Sequence, residues 1–284
     1  MRSGDPLILN LACTGVIPTR AMNPHVPLSH AEIVDDVARC LELGVQMVHL
    51  HARDPEGVQT GDPEAYARLI ESIRALPGGR EAILCVTTSG RKDASFASRA
   101  RVLDLDGDAK PDMASLTLSS LNFVQSASIN APDTIRQLAA HMQARGILPE
   151  LEVFDLGMAN FGRVLSREGL IPRAPYVNLL LGNIAGAQAD PLSLGALLAN
   201  LPDGSVTALA GIGRSQLTAN TLGLLLTDGV RIGLEDNLWM DSGRSEAASN
   251  VGLIKRMLRL AAELERPLES PARLRQRLGL RAAG

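Results

Sequence analysis

Short apolar runs rich in Val, Ile and Leu recur along the chain, separated by longer stretches whose apolar residues return at helical period. Runs that are apolar throughout, rather than alternating, suit strands covered on both faces. Eight stand out: LILNLAC from Leu7, VQMVHLH from Val45, AILCVTT from Ala82, PDMASLT from Pro111, PELEVFD from Pro149, YVNLLLG from Tyr176, SVTALAG from Ser205 and VRIGLED from Val230.

Helical segments lie between them. SHAEIVDDVARCLELG opens on Ser29 as N-cap and closes on Gly44 as C-cap. DPEAYARLIESIRALPGG and DPLSLGALLANLPDG both open with Asp-Pro, at Asp62 and at Asp190, a cap followed by proline at the first helical position. SINAPDTIRQLAAHMQARG carries Pro132 near its start and ends at Gly146, and RSQLTANTLGLLLTDG is expected to end at Gly229. SEAASNVGLIKRMLRLAAELE is expected to be the longest helix.

Strands alternating with helices imply parallel βαβ units with right-handed crossovers. Eight units predict a closed (β/α)8 TIM barrel, with an open doubly wound sheet as the alternative. No linker or charge block divides the chain, so residues 1–284 read as a single domain. The tail from about Arg266 reads as a short helical extension, its arginines expected on a solvated or subunit-contacting face.

Composition narrows the class. A chain of 284 residues with 45% hydrophobic residues suits one α/β barrel with a large core. A net charge of −3 gives no pull toward nucleic acid or an anionic membrane, and 2% aromatics argues against base stacking. Cys13, Cys40 and Cys85 are odd in number and widely spaced, which suits a reducing compartment. The start shows no secretory h-region, and no run reaches the roughly 20 apolar residues of a membrane helix. The expectation is a cytoplasmic protein.

In such barrels the chemistry sits at the C-terminal ends of strands. The second strand ends in His49-Leu50-His51, and residues two apart on a strand face the same side. Two imidazoles side by side at that rim have little packing merit and point to a metal such as zinc or iron. The eighth strand ends in Arg231-Ile232-Gly233-Leu234-Glu235-Asp236-Asn237. Barrel closure brings strand eight beside strand one and so Glu235 near the histidine pair, against the simpler reading of Glu-Asp-Asn as a helix cap. Two histidines and a carboxylate leave coordination positions open for substrate. Arg231 shares the parity of Glu235, and an inward arginine must be paired, with Asp236 or a bound anion as candidates. Thr87 and Ser115 supply hydroxyls after strands three and four, the kind of groups that hold a carboxylate or carbonyl. Gly211, Gly213 and Arg214 form a strand–helix turn that could face a phosphate. His141 reads as a surface or packing residue; the GxGxxG, P-loop and GxSxG motifs are missing.

The segments ACTGVIPTRAMNPHVP, VHLHARDPEG, ELEVFDLGM, AGIGR and VRIGLEDN together resemble the beta-keto acid cleavage enzymes, from about Leu7 to about Glu263. The best-known type is the 3-keto-5-aminohexanoate cleavage enzyme. The resemblance implies a barrel with a divalent metal, usually zinc, on His49, His51 and Glu235. It implies a homotetramer and a reaction of a beta-keto acid with acetyl-CoA that yields acetoacetate and a new acyl-CoA. Asp236 would be the general base, and Arg231 would orient it. Thr87 and Ser115 match substrate-holding hydroxyls, with serine and threonine exchanged. The aminohexanoate enzyme carries a glutamate in the loop after strand one, suited to its substrate's ammonium, where this chain has Ile17. Ile17 therefore predicts an uncharged or apolar keto acid. Two other readings are an amidohydrolase-like metal hydrolase and a non-catalytic ligand-binding barrel. The first wants its HxH after strand one and further histidines later, yet no histidine follows His141. The second would be expected to have lost part of the constellation.

Overall fold

The computed structural model describes residues 4–282; residues 1–3 and 283–284, the ends of the expected single-domain span and the first residues of the start read for a signal, lie outside the described residues. The apolar runs form β1 (Ile8–Ala12), β2 (Met47–Leu50), β3 (Ile83–Val86), β4 (Met113–Thr117), β7 (Leu148–Val153), β8 (Tyr176–Leu181), β9 (Val206–Gly211) and β10 (Gly229–Ile232). All pair in parallel and close into a barrel in which β10 meets β1, so the TIM barrel stands and the open sheet does not. Between β4 and β7 a small antiparallel hairpin, β5 (Leu121–Asn122) and β6 (Ala127–Ser128), rises over the C-terminal rim, an element the apolar pattern did not announce. No helix among the described residues is long and apolar enough to cross a membrane.

Helix boundaries follow local chemistry. α1 (His30–Glu42) starts with a complete capping box between Ser29 and Glu32, and Gly44 follows its C-cap Leu43 at φ +90°. α2 (Pro63–Arg74) is capped by Asp62. α3 (Phe96–Ala100) is a single short turn capped by Ser95. α4 (Pro132–Arg145) ends on Gly146 in the left-handed region. α5 (Leu156–Arg167) was not read as a helix, although Asp155 caps it within the FDLGM segment. α6 (Pro191–Asn200) is capped by Asp190. A side-chain cap of this kind stabilises a helix by about 1 kcal/mol.

Two expectations shift. α7 (Gln216–Leu226) stops before Gly229, which opens β10 instead; a Cβ there would lie 2.4 Å from the Ile8 carbonyl oxygen, so the glycine serves close strand pairing. α8 (Asn250–Glu263) begins after Ser249, its N-cap, because the SEAAS stretch is irregular; at 14 residues it equals α4 rather than exceeding it.

The tail does form a short helix, α9 (Pro271–Arg277), with Arg273 and Arg277 exposed as expected, but Arg266 and Arg275 are buried rather than solvated. Leu274 and Leu278 join Ile8, Met47, Ile83 and Met113 in an apolar cluster that plugs the N-terminal end of the barrel. Arg275 is buried beside them with Asp112 at 2.5 Å, and Arg277 pairs with Asp228. Arg266 is buried as well and donates to the backbone carbonyls of Leu224 and Thr227. Outward strand residues such as Leu9, Leu11, Val48 and Leu84 pack against the helices in the main core. Above the plug the barrel interior turns polar, and there the site begins.

Candidate active site

Strand register builds the site in layers. Asn10 pairs with Arg231 across β1 and β10, His49 with Cys85 across β2 and β3, and Ser115 and Thr117 with Glu150 and Glu152 across β4 and β7. Residues at alternate positions point inward, so a ring of polar side chains sits directly above the apolar plug. The glutamates at 150 and 152 were not singled out from sequence. The signal was present: two carboxylates share one parity in a strand otherwise apolar.

His49 and His51 lie side by side with their Nε2 atoms 3.3 Å apart, and Glu235 Oε1 is 3.3 Å from His51 Nε2. Glu235 Oε2 is 3.9 Å from His49 Nε2. The three residues offer ligand atoms within 4.8 Å of one another. Two facing imidazole nitrogens and a carboxylate need a proton or a cation between them. Glu235 Oε2 is buried with no hydrogen-bond partner, an orphan a cation would satisfy. Burial pulls the His51 pKa down, keeping the ring in the neutral form that ligates metal. The donor set thus fits a divalent transition ion with open coordination positions.

His49 is oriented from behind. Its Nδ1 is 2.6 Å from Glu150 Oε2, so the ring donates there and turns Nε2 toward His51. Burial disfavours the charged ring, but Glu150 and Glu235 outweigh it and the His49 pKa rises. Glu150 is fully buried, yet Asn10 and Asn178 both donate to its Oε1 at 2.7 Å. Burial alone would raise its pKa; the charges of His49 and Arg231 and these bonds hold it at about 2. His49, Cys85 and Glu150 also cluster closely, but the oxygens of Glu150 already have four partners, Asn10, Asn178, His49 and the Cys85 thiol, so it serves as the anchor of His49. A carboxylate behind a ligating histidine fixes its tautomer and ring plane.

Arg231 is the largest fully buried side chain. Its Nε and Nη2 approach Asp236 at 3.1 and 3.2 Å, Nη2 lies 2.9 Å from Glu235, and Nη1 lies 3.4 Å from Glu152. Surrounded by carboxylates, it is held firmly charged despite burial. Burial pushes the Asp236 pKa up, with Arg231 opposing. Burial would also raise Glu235, but His51, Arg231 and His49 hold it well below the usual carboxylate range. Glu235 owes its position to Gly15: at φ +68°, any Cβ there would come within 2.5 Å of the Glu235 side chain.

These groups open into a cavity of about 290 Å³ lined by both histidines, Arg231, Glu235 and Asp236. Thr87 and Ile17 also line it, and Ile17 is partly exposed at the rim. Ser115 does not reach it. Its hydroxyl accepts from the Thr88 amide at 3.1 Å and its carbonyl from the Thr88 hydroxyl at 2.6 Å, so it braces the β3 loop. Thr117, two residues on, lines the cavity and donates to Glu152 at 2.6 Å. The turn after β9 is tighter than a phosphate cradle needs. Gly211 packs against the backbone of Ser215 and Gln216, and the Gly213 amide is taken by the Asp236 carbonyl at 2.7 Å. Arg214 is exposed beside that turn. His141 pairs with Asp104 on the surface.

Known proteins share this chain and this fold. The chain is 36% identical over 280 residues to the 3-oxoadipate:acetyl-CoA acetyltransferase of Cupriavidus necator, covering 97% of this chain and 95% of that one. It is 32% identical over 278 residues to the 3-keto-5-aminohexanoate cleavage enzyme of Fusobacterium nucleatum, covering 98% and 99%. Among solved structures, apo ObcA superimposes with a TM-score of 0.78 at 20% identity, over 90% of this chain and 66% of ObcA, which shows a shared fold. The model of the beta-keto acid cleavage enzymes matches residues 6–280, and the chain belongs to that family.

Proposed function

We propose that this protein cleaves a beta-keto acid with acetyl-CoA, giving acetoacetate and a new acyl-CoA. The observation that carries the reading is the convergence of His49, His51 and Glu235 beside the Arg231–Asp236 pair in one cavity, supported by the acetyl-CoA reactions named for the relatives. His49, His51 and Glu235 would hold a divalent ion, zinc in this reading, which when bound supplies Lewis-acid polarisation of a carbonyl oxygen.

The chain's own groups do the rest. Asp236 takes a proton from C2 of the keto acid as general base, its basicity kept up by burial. Arg231 holds Asp236 ionised and oriented, and its charge favours negative intermediates. The C2 carbanion forms a bond to the acetyl carbon and CoA leaves as thiolate. The thiolate then attacks the former keto carbon, the bond from C2 to that carbon breaks, and acetoacetate departs after protonation. Thr87, whose hydroxyl hydrogen is not committed to a protein acceptor among the described residues, would steady a substrate oxygen, whereas Thr117 gives its hydroxyl hydrogen to Glu152. Ser115 acts one step back through the Thr88 loop. Exposed Arg214, beside Gly211 and Gly213, would meet a CoA phosphate outside the cavity.

Apolar Ile17 at the rim disfavours a substrate with a distal ammonium. The amidohydrolase reading fails on topology, because the HxH lies on β2 and no histidine follows His141. Three free, buried cysteines support a reducing, cytoplasmic setting, and the family resemblance supports one catalytic domain assembling as a homotetramer. The deciding experiment combines metal analysis with turnover of a panel of beta-keto acids and acetyl-CoA, followed by acetoacetate release. Bound metal without acetyl-CoA-dependent turnover of any keto acid would favour the non-catalytic barrel. Light scattering checks the tetramer.

A further inference from the structure

The cavity contains a second arginine that the reaction above does not use. Arg91 sits in the loop after β3, four residues beyond Thr87, and lines the cavity together with Ser126 and Ser128 of the hairpin. Its guanidinium carbon lies 3.3 Å from the centroid of the Phe123 ring, and Phe123 is itself held edge-on against Phe154 at 5.8 Å. Arg91 forms no ion pair among the described residues. The carboxylates of the cavity, Glu152, Glu235 and Asp236, act on Arg91 from a distance but are in direct contact with Arg231, so the N–H groups of Arg91 have no carboxylate in contact among the described residues.

The loop is built to hold it there. Buried Arg99 donates to the Thr88 carbonyl at 2.6 Å and to Asn130 at 2.8 Å, tying the loop to the exit of the hairpin. Gly90 lets the chain pass so close to the Ile129 carbonyl that a Cβ would lie 2.4 Å from it. Stacking on an aromatic face occupies the flat side of a guanidinium and leaves its N–H edge free, and that edge is a fork matched to a carboxylate.

We propose that Arg91, backed by Phe123, binds a second carboxylate on the substrate, so that the keto acid is a dicarboxylate. The proposal rests on the reaction proposed above and revises the expectation of an uncharged chain drawn from Ile17. That residue removes the partner for an ammonium; it does not oppose an anion. The other anion in the reaction, the phosphates of CoA, lies at the far end of the pantetheine arm, beyond a cavity of about 290 Å³.

The test is steady-state kinetics of the metal-replete enzyme on two beta-keto acids of equal length, one ending in a carboxylate and one in a methyl group. Wild type should favour the diacid in kcat/KM by at least about tenfold. Arg91→Ala should lower kcat/KM for the diacid about 10- to 100-fold, mainly through KM, and for the methyl-ended acid less than about threefold. Arg91→Lys should recover part of the loss, and Phe123→Leu should cost the diacid a few-fold. Preference of wild type for the methyl-ended acid overturns the proposal. An equal loss on both acids, or a rise confined to the KM of acetyl-CoA, also overturns it, assigning Arg91 to loop structure or to CoA. If neither acid turns over, the proposed reaction fails, and calorimetric titration of the diacid still decides about Arg91. Tighter binding to wild type than to Arg91→Ala supports the carboxylate site; equal binding removes it.

Discussion

The two ends of the barrel bury charge in opposite ways. At the N-terminal end, Arg275 meets Asp112, Arg277 meets Asp228 and Arg266 caps carbonyls, and none of these side chains leaves a buried polar atom unpartnered. At the C-terminal end, Glu235 Oε2 and His51 Nδ1 are buried without a hydrogen-bond partner, and Arg91 has no ion pair among the described residues. Burying a polar group unpaired costs free energy, so a fold tolerates it where something else is meant to bind. The plug is charge completed by the chain; the rim is charge awaiting a ligand.

That contrast is broken most severely at the rim. Glu235→Gln keeps shape and removes the ligand charge. Acetyl-CoA-dependent turnover should fall by about 100-fold or more as metal occupancy drops. Elemental analysis and kinetics check it, and the denaturation midpoint of the metal-free protein should fall somewhat, since the variant loses the ion pair with Arg231. Retained metal with full turnover would remove Glu235 from the site.

At the plug the same kind of change should touch stability alone. Arg275→Ala strands Asp112, although Arg74 at 3.4 Å and the Leu84 amide at 3.0 Å remain beside it. Breaking a buried pair costs about 3–5 kcal/mol, and these remaining partners place the loss near the lower end. Urea denaturation reads it, while kcat should stay within about twofold. Arg275→Leu combined with Asp112→Asn should recover part of the loss.

A smaller effect tests the support beneath the metal ligands. Glu150→Gln keeps an acceptor for His49 but removes its charge, so the affinity for zinc should fall by about 10- to 100-fold in chelator competition. With saturating zinc most of kcat should return. Failure of excess metal to restore it would assign Glu150 a more direct part.

The sequence carried the rim better than the plug. His49, His51, Glu235 and Arg231 were legible because strand parity and barrel closure are simple rules, and each residue is out of place in an apolar strand. Glu150 and Glu152 obey the same parity but sit mid-strand, where only the register with β4 shows what they face. Arg275 was misplaced because a short amphipathic helix looks alike on a surface and across a barrel mouth. Ser115 lies outside the cavity lining for a local reason: its hydroxyl accepts from the Thr88 amide and so faces the β3 loop. Arg91 was invisible, since its function depends on a hairpin of two-residue strands that no periodicity can announce.

The smallest effect concerns a charge outside both the plug and the cavity. Glu32 closes the capping box of α1, accepting from the Ser29 amide at 2.9 Å and from Arg20 at 2.6 Å. The Ser29 amide first and Arg20 second hold its pKa at about 2, from an ordinary 4.5. A depressed carboxylate stabilises fully above its unfolded pKa, and the contribution is lost as pH falls through the folded value. The window is therefore about pH 4.5 down to about pH 2. The side chain is 42% exposed, so solvent screens the pair and the gain is well under what the shift alone implies, at most about 1 kcal/mol. Glu32→Gln keeps the capping geometry while removing the charge. In paired urea titrations the stability gap between wild type and variant should be full at pH 6 and shrink as pH falls below about 4.5. A gap independent of pH would mean that the hydrogen bonds of the box, rather than the charge, carry the effect.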